Sequence, residues 1–244
     1  MRLEVILFNE GIKSIPLNYQ YYLTSAIYKA LGESDKEIAE KIHDEGFGDK
    51  KGFKFFTYSF LKGDIFKIKD NDLYMEEGIF KWFISSPIHT LIKMISESFS
   101  KNGFVEIKHD TFKIESLSFK GNPSFKKEEK FICNSPIVVT KQDPNGRVEY
   151  LVSVDDEFNV RINNNLARKY EILFGEKYEG DGVKVISDKK YPMTKLIKFK
   201  NIKIKGIYDN LKIVGDTDLI HIAYDTGLGE KNSMGFGMIE KIRR

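Results

Sequence analysis

The stretch FKFFTYSFLKGDIFKIKDNDLYMEEGIFKWFISS, Phe53 to Ser86, decides the fold. Its apolar residues recur with a period of two, so it reads as consecutive strands joined by tight turns. On either side the period lengthens. Upstream, Leu23, Ala26, Ile27, Ala30 and Leu31 keep the three-four spacing of a helix buried on one face, ending at Gly32. SDKE follows, with Ser34 and Glu37 placed as a capping box; the short helix it opens carries Ile38, Ala39 and Ile42 and stops at Gly46. Downstream, PIHTLIKMISESFSKNG predicts a helix from Pro87 to just before Gly103, and VEIKHDTFKIESLSF a further strand pair. MRLEVILFNEG supplies the first strand. Strand, broken helix, strands, helix, strand is the split βαβ, ferredoxin-like order.

The order then repeats. KGNPSFKKEEK (Lys120–Lys130) is polar and lysine-rich, which marks a boundary. Beyond it FICNSPIVVT reads as a strand, and Asp155 to Phe174 as a helix with Phe158, Ile162, Leu166 and Leu173 near one face. Lys195 to Val214 supplies strands, DTDLIHIAYDTG a short helix and GFGMIEKI a closing strand. The expectation is an α+β chain of two tandem ferredoxin-like (RRM-like) domains, 1–123 and 124–244, each an antiparallel sheet with helices on one face. The halves share negligible sequence identity; element order alone carries the repeat.

The 244 residues are 41% apolar and 13% aromatic, enough for ordinary cores, and 31% charged with a net charge of only +3. Bulk charge therefore says little about an acidic partner, and its distribution must carry that argument. Cys133 is the single cysteine, so no internal disulfide can form and a reducing, cytoplasmic setting is expected. No apolar run is long enough to span a membrane, and the first residues read as a strand rather than a leader.

Distribution does point to nucleic acid. In KLIKFKNIKIKG, Lys198 and Lys200 share one face of an extended chain, as do Lys203 and Lys205, with a change of phase at Asn201. Ammonium groups in a row on an apolar-backed strand match the spacing of a phosphate backbone; the plain alternative is an edge strand that uses lysine against aggregation. The loop GLGEKNSMGFGMIE, Gly227 to Glu240, fits neither the dinucleotide fingerprint nor the phosphate-loop spacing. It also follows a helix and precedes a strand, the reverse of both. Its glycines permit close backbone approach, and Lys231, Asn232 and Ser233 offer donors to phosphate oxygens. The plain alternative there is a helix C-cap at Gly227 and a bulged start to the strand.

Four histidines with no pair at ligand spacing argue against zinc. His43 stands near a helix C-terminus, where the dipole favours imidazolium, with Lys50, Lys51 and Lys54 close behind. Tyr28 lies off the buried stripe of the preceding helix, beside Thr24 and Ser25. A tyrosine, a histidine and a lysine together suit cleavage of RNA by its own 2′-hydroxyl: proton removal, leaving-group protonation and charge stabilisation. Any chain of this length offers such a trio, so the pattern alone decides little.

LNYQYYLTSAIYKAL, KIHDEG, KFFTYS, SPIVVT and above all GLGEKNSMGFGMIE resemble the CRISPR-associated repeat-processing endoribonucleases (the "Cas six" family) of the repeat-associated mysterious protein superfamily. The resemblance spans essentially the whole chain. It implies repeat RNA bound across the cleft between two ferredoxin-like domains. It also implies metal-independent cleavage to a 2′,3′-cyclic phosphate and a 5′-hydroxyl, with no cofactor. On its pattern Tyr28 is the base or 2′-hydroxyl positioner, His43 the general acid and Lys54 the transition-state cation, with Lys51 as the alternative cation. Lys51, Lys198, Lys200, Lys203, Lys205, Lys231, Asn232 and Ser233 would contact RNA. Effector subunits and a second copy of the chain are the further partners it leaves open, and a non-catalytic RNA-binding subunit is the rival reading.

Overall fold

The computed structural model describes residues 1–48 and 52–242. The first half runs β1 (Arg2–Asn9), β2 (Lys13–Pro16), α1 (Gln20–Ser34), α2 (Lys36–Asp44), β3 (Thr57–Tyr58), β4 (Ile65–Lys69), β5 (Asp72–Met75), β6 (Gly78–Ser85), α3 (His89–Asn102), β7 (Phe104–Ile107) and β8 (Asp110–Lys120). Its main sheet has the order β3-β6-β1-β8-β7, antiparallel throughout. With β7 set aside as an added edge, that is the ferredoxin-like arrangement. Period-two burial of Leu3, Val5 and Leu7 on β1 faces Leu23, Ile27 and Leu31 of α1 and Ile92, Ile95 and Phe99 of α3 in one core.

The second half runs β9 (Glu128–Cys133), β10 (Thr140–Gln142), β11 (Val148–Tyr150), α4 (Asp156–Phe174), β12 (Val183–Ser187), β13 (Thr194–Phe199), β14 (Ile202–Ile207), β15 (Asn210–Gly215), α5 (Thr217–Thr226), a 3₁₀ turn (Asn232–Met234) and β16 (Ile239–Lys241). The sheet order β12-β15-β9-β16 repeats that of the first half, again antiparallel. The expected tandem of ferredoxin-like folds is therefore present. No helix among the described residues is long and apolar enough to cross a membrane.

Several local expectations are corrected. α1 runs through Gly32 to Ser34, and the cap of α2 is Asp35, whose carboxylate accepts from the Ile38 amide at 3.0 Å. The Ser34 hydroxyl instead donates to the Met94 carbonyl of α3 at 3.0 Å. Within Phe53–Ser86 only β3 and β6 join the main sheet; β5 pairs with β2 on one side and β4 on the other in a separate three-stranded sheet. The strand expected over FICNSPIVVT ends at Cys133. Asn134–Val139 leaves the sheet and makes isolated bridges, Ile137 to Ile207 on one side and Val138 to Gly229 and Glu230 on the other. Pro136 has no amide to give a ladder, so the chain there serves two neighbours in turn.

The change of phase at Asn201 is a hairpin turn, with Lys200 at φ 52°. Lys198 pairs with Lys203 and Leu196 with Lys205, so these four share the exposed face of the β13–β14 ribbon. Ile197, Phe199 and Ile204 pack on the other face with Phe60, Val138 and Phe236. Lys200, expected beside Lys198, stands apart in the turn.

Candidate active site

α1 and α2 meet at Gly32 and Ala39, which brings Tyr28 and His43 together. Their ring centroids lie 5.0 Å apart, edge to face at 79°. Phe56 backs the phenol from the other side at 5.7 Å. Burial, with a smaller contribution from the Asp44 carboxylate, pushes the Tyr28 phenol up to about 12. At neutral pH it is a hydrogen-bond donor, and a poor base. The His43 side chain is 66% exposed, and its Nδ1 lies 2.7 Å from the Asp44 carboxylate, which orients the ring with Nε2 left for other work. Lys54 arrives on the chain leading to β3 and donates to the His43 carbonyl at 2.7 Å, at the negative end of α2. Burial lowers its proton affinity, and Asp44 and Glu45 oppose that. Tyr28 and His43 are thus in ring contact, whereas Lys54 meets His43 only at its backbone and lines a separate hollow. Lys51 lies outside the described residues.

The C-terminal half closes this site. Tyr21, Thr24, Ser25, Tyr28 and His43 line a pocket of ≈ 400 Å³ with Phe199, Lys200, Ser233 and Met234. The ribbon tip clasps α1: the Phe199 ring lies 5.8 Å from Tyr21, the Lys200 ammonium 4.8 Å over the same ring, and the Lys198 amide donates to Asn18 at 2.7 Å. Next to it a second hollow holds Lys54, Lys231, Asn232 and Ser233, so the glycine-rich loop borders both.

That loop is fixed against β3. A Cβ on Gly235 would come within 2.4 Å of the Tyr58 ring, and the residue sits at φ 82°, so only glycine fits. The Tyr58 hydroxyl donates to the Gln20 carbonyl at 2.7 Å, the Thr24 hydroxyl lies 2.5 Å from the Tyr58 hydroxyl oxygen, and Thr57 donates to the Phe236 carbonyl at 2.9 Å. Glycines here serve close packing between the halves as well as any ligand. Asn232, expected to contact RNA, has its amide engaged inside the loop: Oδ1 accepts from Lys169 at 2.8 Å and Nδ2 donates to Phe236 O at 3.1 Å. Its side chain braces the loop. Lys231 and Ser233 remain at the border of the hollow.

Three residues of this site were not anticipated. Asp44 follows His43 directly, and its signal was an acidic neighbour of the candidate acid. Tyr21 leaves only its place on the polar flank of α1. Lys169 leaves a clear signal, since it falls in phase with Phe158, Ile162 and Leu166 on the buried stripe of α4.

Two ferredoxin-like folds in tandem, with a glycine-rich loop between the last helix and the last strand, set the class of the molecule. Family models described as "CRISPR-associated protein Cas6, N-terminal" and "CRISPR associated protein Cas6, C-terminal" match residues 14–118 and 120–241. "CRISPR-associated endoribonuclease Cas6 1" of Methanocaldococcus jannaschii is 30% identical over 99% of this chain and 93% of its own. A solved structure titled "CRISPR associated protein Cas6" superposes with a TM-score of 0.82 at 28% identity, covering 100% and 99% of the two chains. Another, "An RAMP protein binding different RNA substrates", reaches 0.86 at 23%, covering both chains fully. The chain belongs to the Cas6 family.

Proposed function

We propose that this chain is an endoribonuclease that cuts CRISPR precursor RNA within its repeats by attack of the 2′-hydroxyl on the adjacent phosphate. The products would carry 2′,3′-cyclic phosphate and 5′-hydroxyl ends. The observation that carries this reading is the pocket shared by Tyr28, His43, Lys200 and Ser233, where the chemical groups of one half face the cationic and hydroxyl groups of the other. Family membership and the endoribonuclease name of the Methanocaldococcus relative support it.

Within it, the neutral Tyr28 phenol positions the 2′-hydroxyl by hydrogen bonding. The imidazolium of His43, held by Asp44, gives a proton to the departing 5′-oxygen. Lys54 stabilises the charge that builds on the phosphorane. Lys198, Lys203 and Lys205 on the ribbon face track the RNA backbone, with Lys200, Lys231 and Ser233 nearer the cut.

His43→Ala tests it. Single-turnover cleavage of the repeat transcript should fall by about 10²–10⁴-fold with affinity nearly unchanged. Equal cutting by both proteins removes His43 from the mechanism and favours a non-catalytic RNA-binding role. A 2′-deoxy nucleotide 5′ of the cut should abolish cleavage and leave binding, and excess chelator should leave the rate unchanged. Cleavage of the deoxy substrate would show an outside nucleophile.

A further inference from the structure

α4 buries Phe158, Ile162 and Leu166, and the next residue in that phase is Lys169, 1% exposed. Its ammonium lies 2.7 Å from the Gly227 carbonyl, 2.8 Å from Asn232 Oδ1 and 3.3 Å from the Gly229 carbonyl. Asn232 passes the connection on to Phe236. One cation, carried by a helix outside the loop, thus gathers the loop's start, its 3₁₀ turn and its return.

We propose that Lys169 is a positioning residue: its three N–H groups hold the glycine-rich loop in the shape that receives RNA. This rests on the reading of the loop as part of an RNA seat. The match is one of donor number. All three partners are acceptors, an ammonium has three N–H groups, and a neutral amine has two. Losing the proton therefore leaves one loop acceptor without a donor.

Burial pushes the Lys169 ammonium down to about 7, opposed by Glu230. The charged groups that share its surroundings are Glu230, Lys54 and Lys231, which line the same hollow, and Arg168, whose guanidinium lies 5.7 Å over Phe53. The Glu230 carboxylate is itself engaged by the Thr140 amide and hydroxyl at about 3 Å. The direction of the effect follows. Below about 7 the proton is on and the loop has its full set of bonds; above it the loop loosens. Overall stability moves the other way, because from there up to the ordinary lysine range the unfolded chain binds the extra proton.

The test uses the full chain with His43→Ala, so that no imidazole at the site contributes, and the host's repeat transcript as probe. Affinity is measured from pH 6 to 9 at constant salt, with and without Lys169→Met. The parent should bind about tenfold more weakly at the upper end. Lys169→Met should be weak throughout, with a flat profile. Amide exchange at pH 6 should quicken over residues 227–237 in Lys169→Met, while the amides of 158–166 stay protected. Asn232→Ala, which leaves the helix core intact, should quicken the same loop.

Parent-like affinity of Lys169→Met at pH 6, or unchanged exchange in the loop, would overturn the assignment. A parent that binds no repeat RNA at any pH refutes the RNA reading instead. The exchange data then decide alone whether Lys169 holds the loop.

Discussion

At Tyr28 the environment chooses between two chemical roles. A phenol pushed up to about 12 cannot supply useful phenolate near neutrality, whereas it can donate a hydrogen bond at any pH below that. Tyr28→Phe should therefore slow single-turnover cleavage by about 10–100-fold and leave the shape of the pH–rate profile unchanged. A log-linear rise in rate up to about pH 12 that vanishes in Tyr28→Phe would make the phenolate the base. Lys54 is bound to the backbone at the end of α2, so it has two attributes to lose. Lys54→Met should cut the rate by about 10²-fold with little change in affinity, and equal rates would move the cation's role to another lysine. The trio was legible as residue types near one another, while its partners were less so. Asp44 could be read from its place beside His43. Lys169 was hidden in plain phase, because a charged side chain is read as solvated unless the stripe around it is followed residue by residue.

The same contrast holds at the scale of elements. Strands and helices with strong periods emerged where expected: α3 within two residues of its predicted start, α4 within one. Elements whose shape depends on distant partners did not. Nothing local separates β4 and β5 from the main sheet, and the departure of Asn134–Val139 follows from the ribbon on one side and the glycine loop on the other. Two measurements belong here. Gly235→Ala puts a Cβ against Tyr58 at a left-handed φ, so it should lower stability by about 1–3 kcal/mol in urea melts and weaken RNA binding. A neutral result in both would free the loop from β3. On the ribbon, replacing Lys203 and Lys205 by Gln should lower the magnitude of the salt slope of RNA binding by about 0.7 per lysine for single-stranded RNA. An unchanged slope would show that this face looks away from the substrate.

Across the whole molecule, Arg2 ties the two sheets together. Only 2% exposed, it donates to Glu240 at 2.5 Å, to the Tyr224 carbonyl at 2.7 Å and to the Ile239 carbonyl at 2.6 Å, with its guanidinium 3.4 Å from the Tyr224 ring centroid. Burial lowers its proton affinity, and Tyr224 and Glu240 oppose that. Removing such a group leaves two buried carbonyls unpaired. Arg2→Met should cost about 3 kcal/mol of unfolding free energy, and a loss under about 0.5 kcal/mol would mean that the halves are held by their apolar contacts. The tandem order was readable because each half repeats the same succession of periods. The join was not, since an arginine at position 2 gives no hint of residues more than 220 positions away.

The ribbon's position has an evolutionary consequence. Its backbone hangs from Ile137 and its tip rests on α1, so substitutions on its outer face leave the Tyr28–His43 contact and the two ferredoxin-like cores unchanged. If the ribbon carries RNA as proposed, a lineage facing new repeats could rewrite Leu196, Lys198, Lys203 and Lys205 as a replaceable key while the inner face and the turn at Lys200 stay as they are.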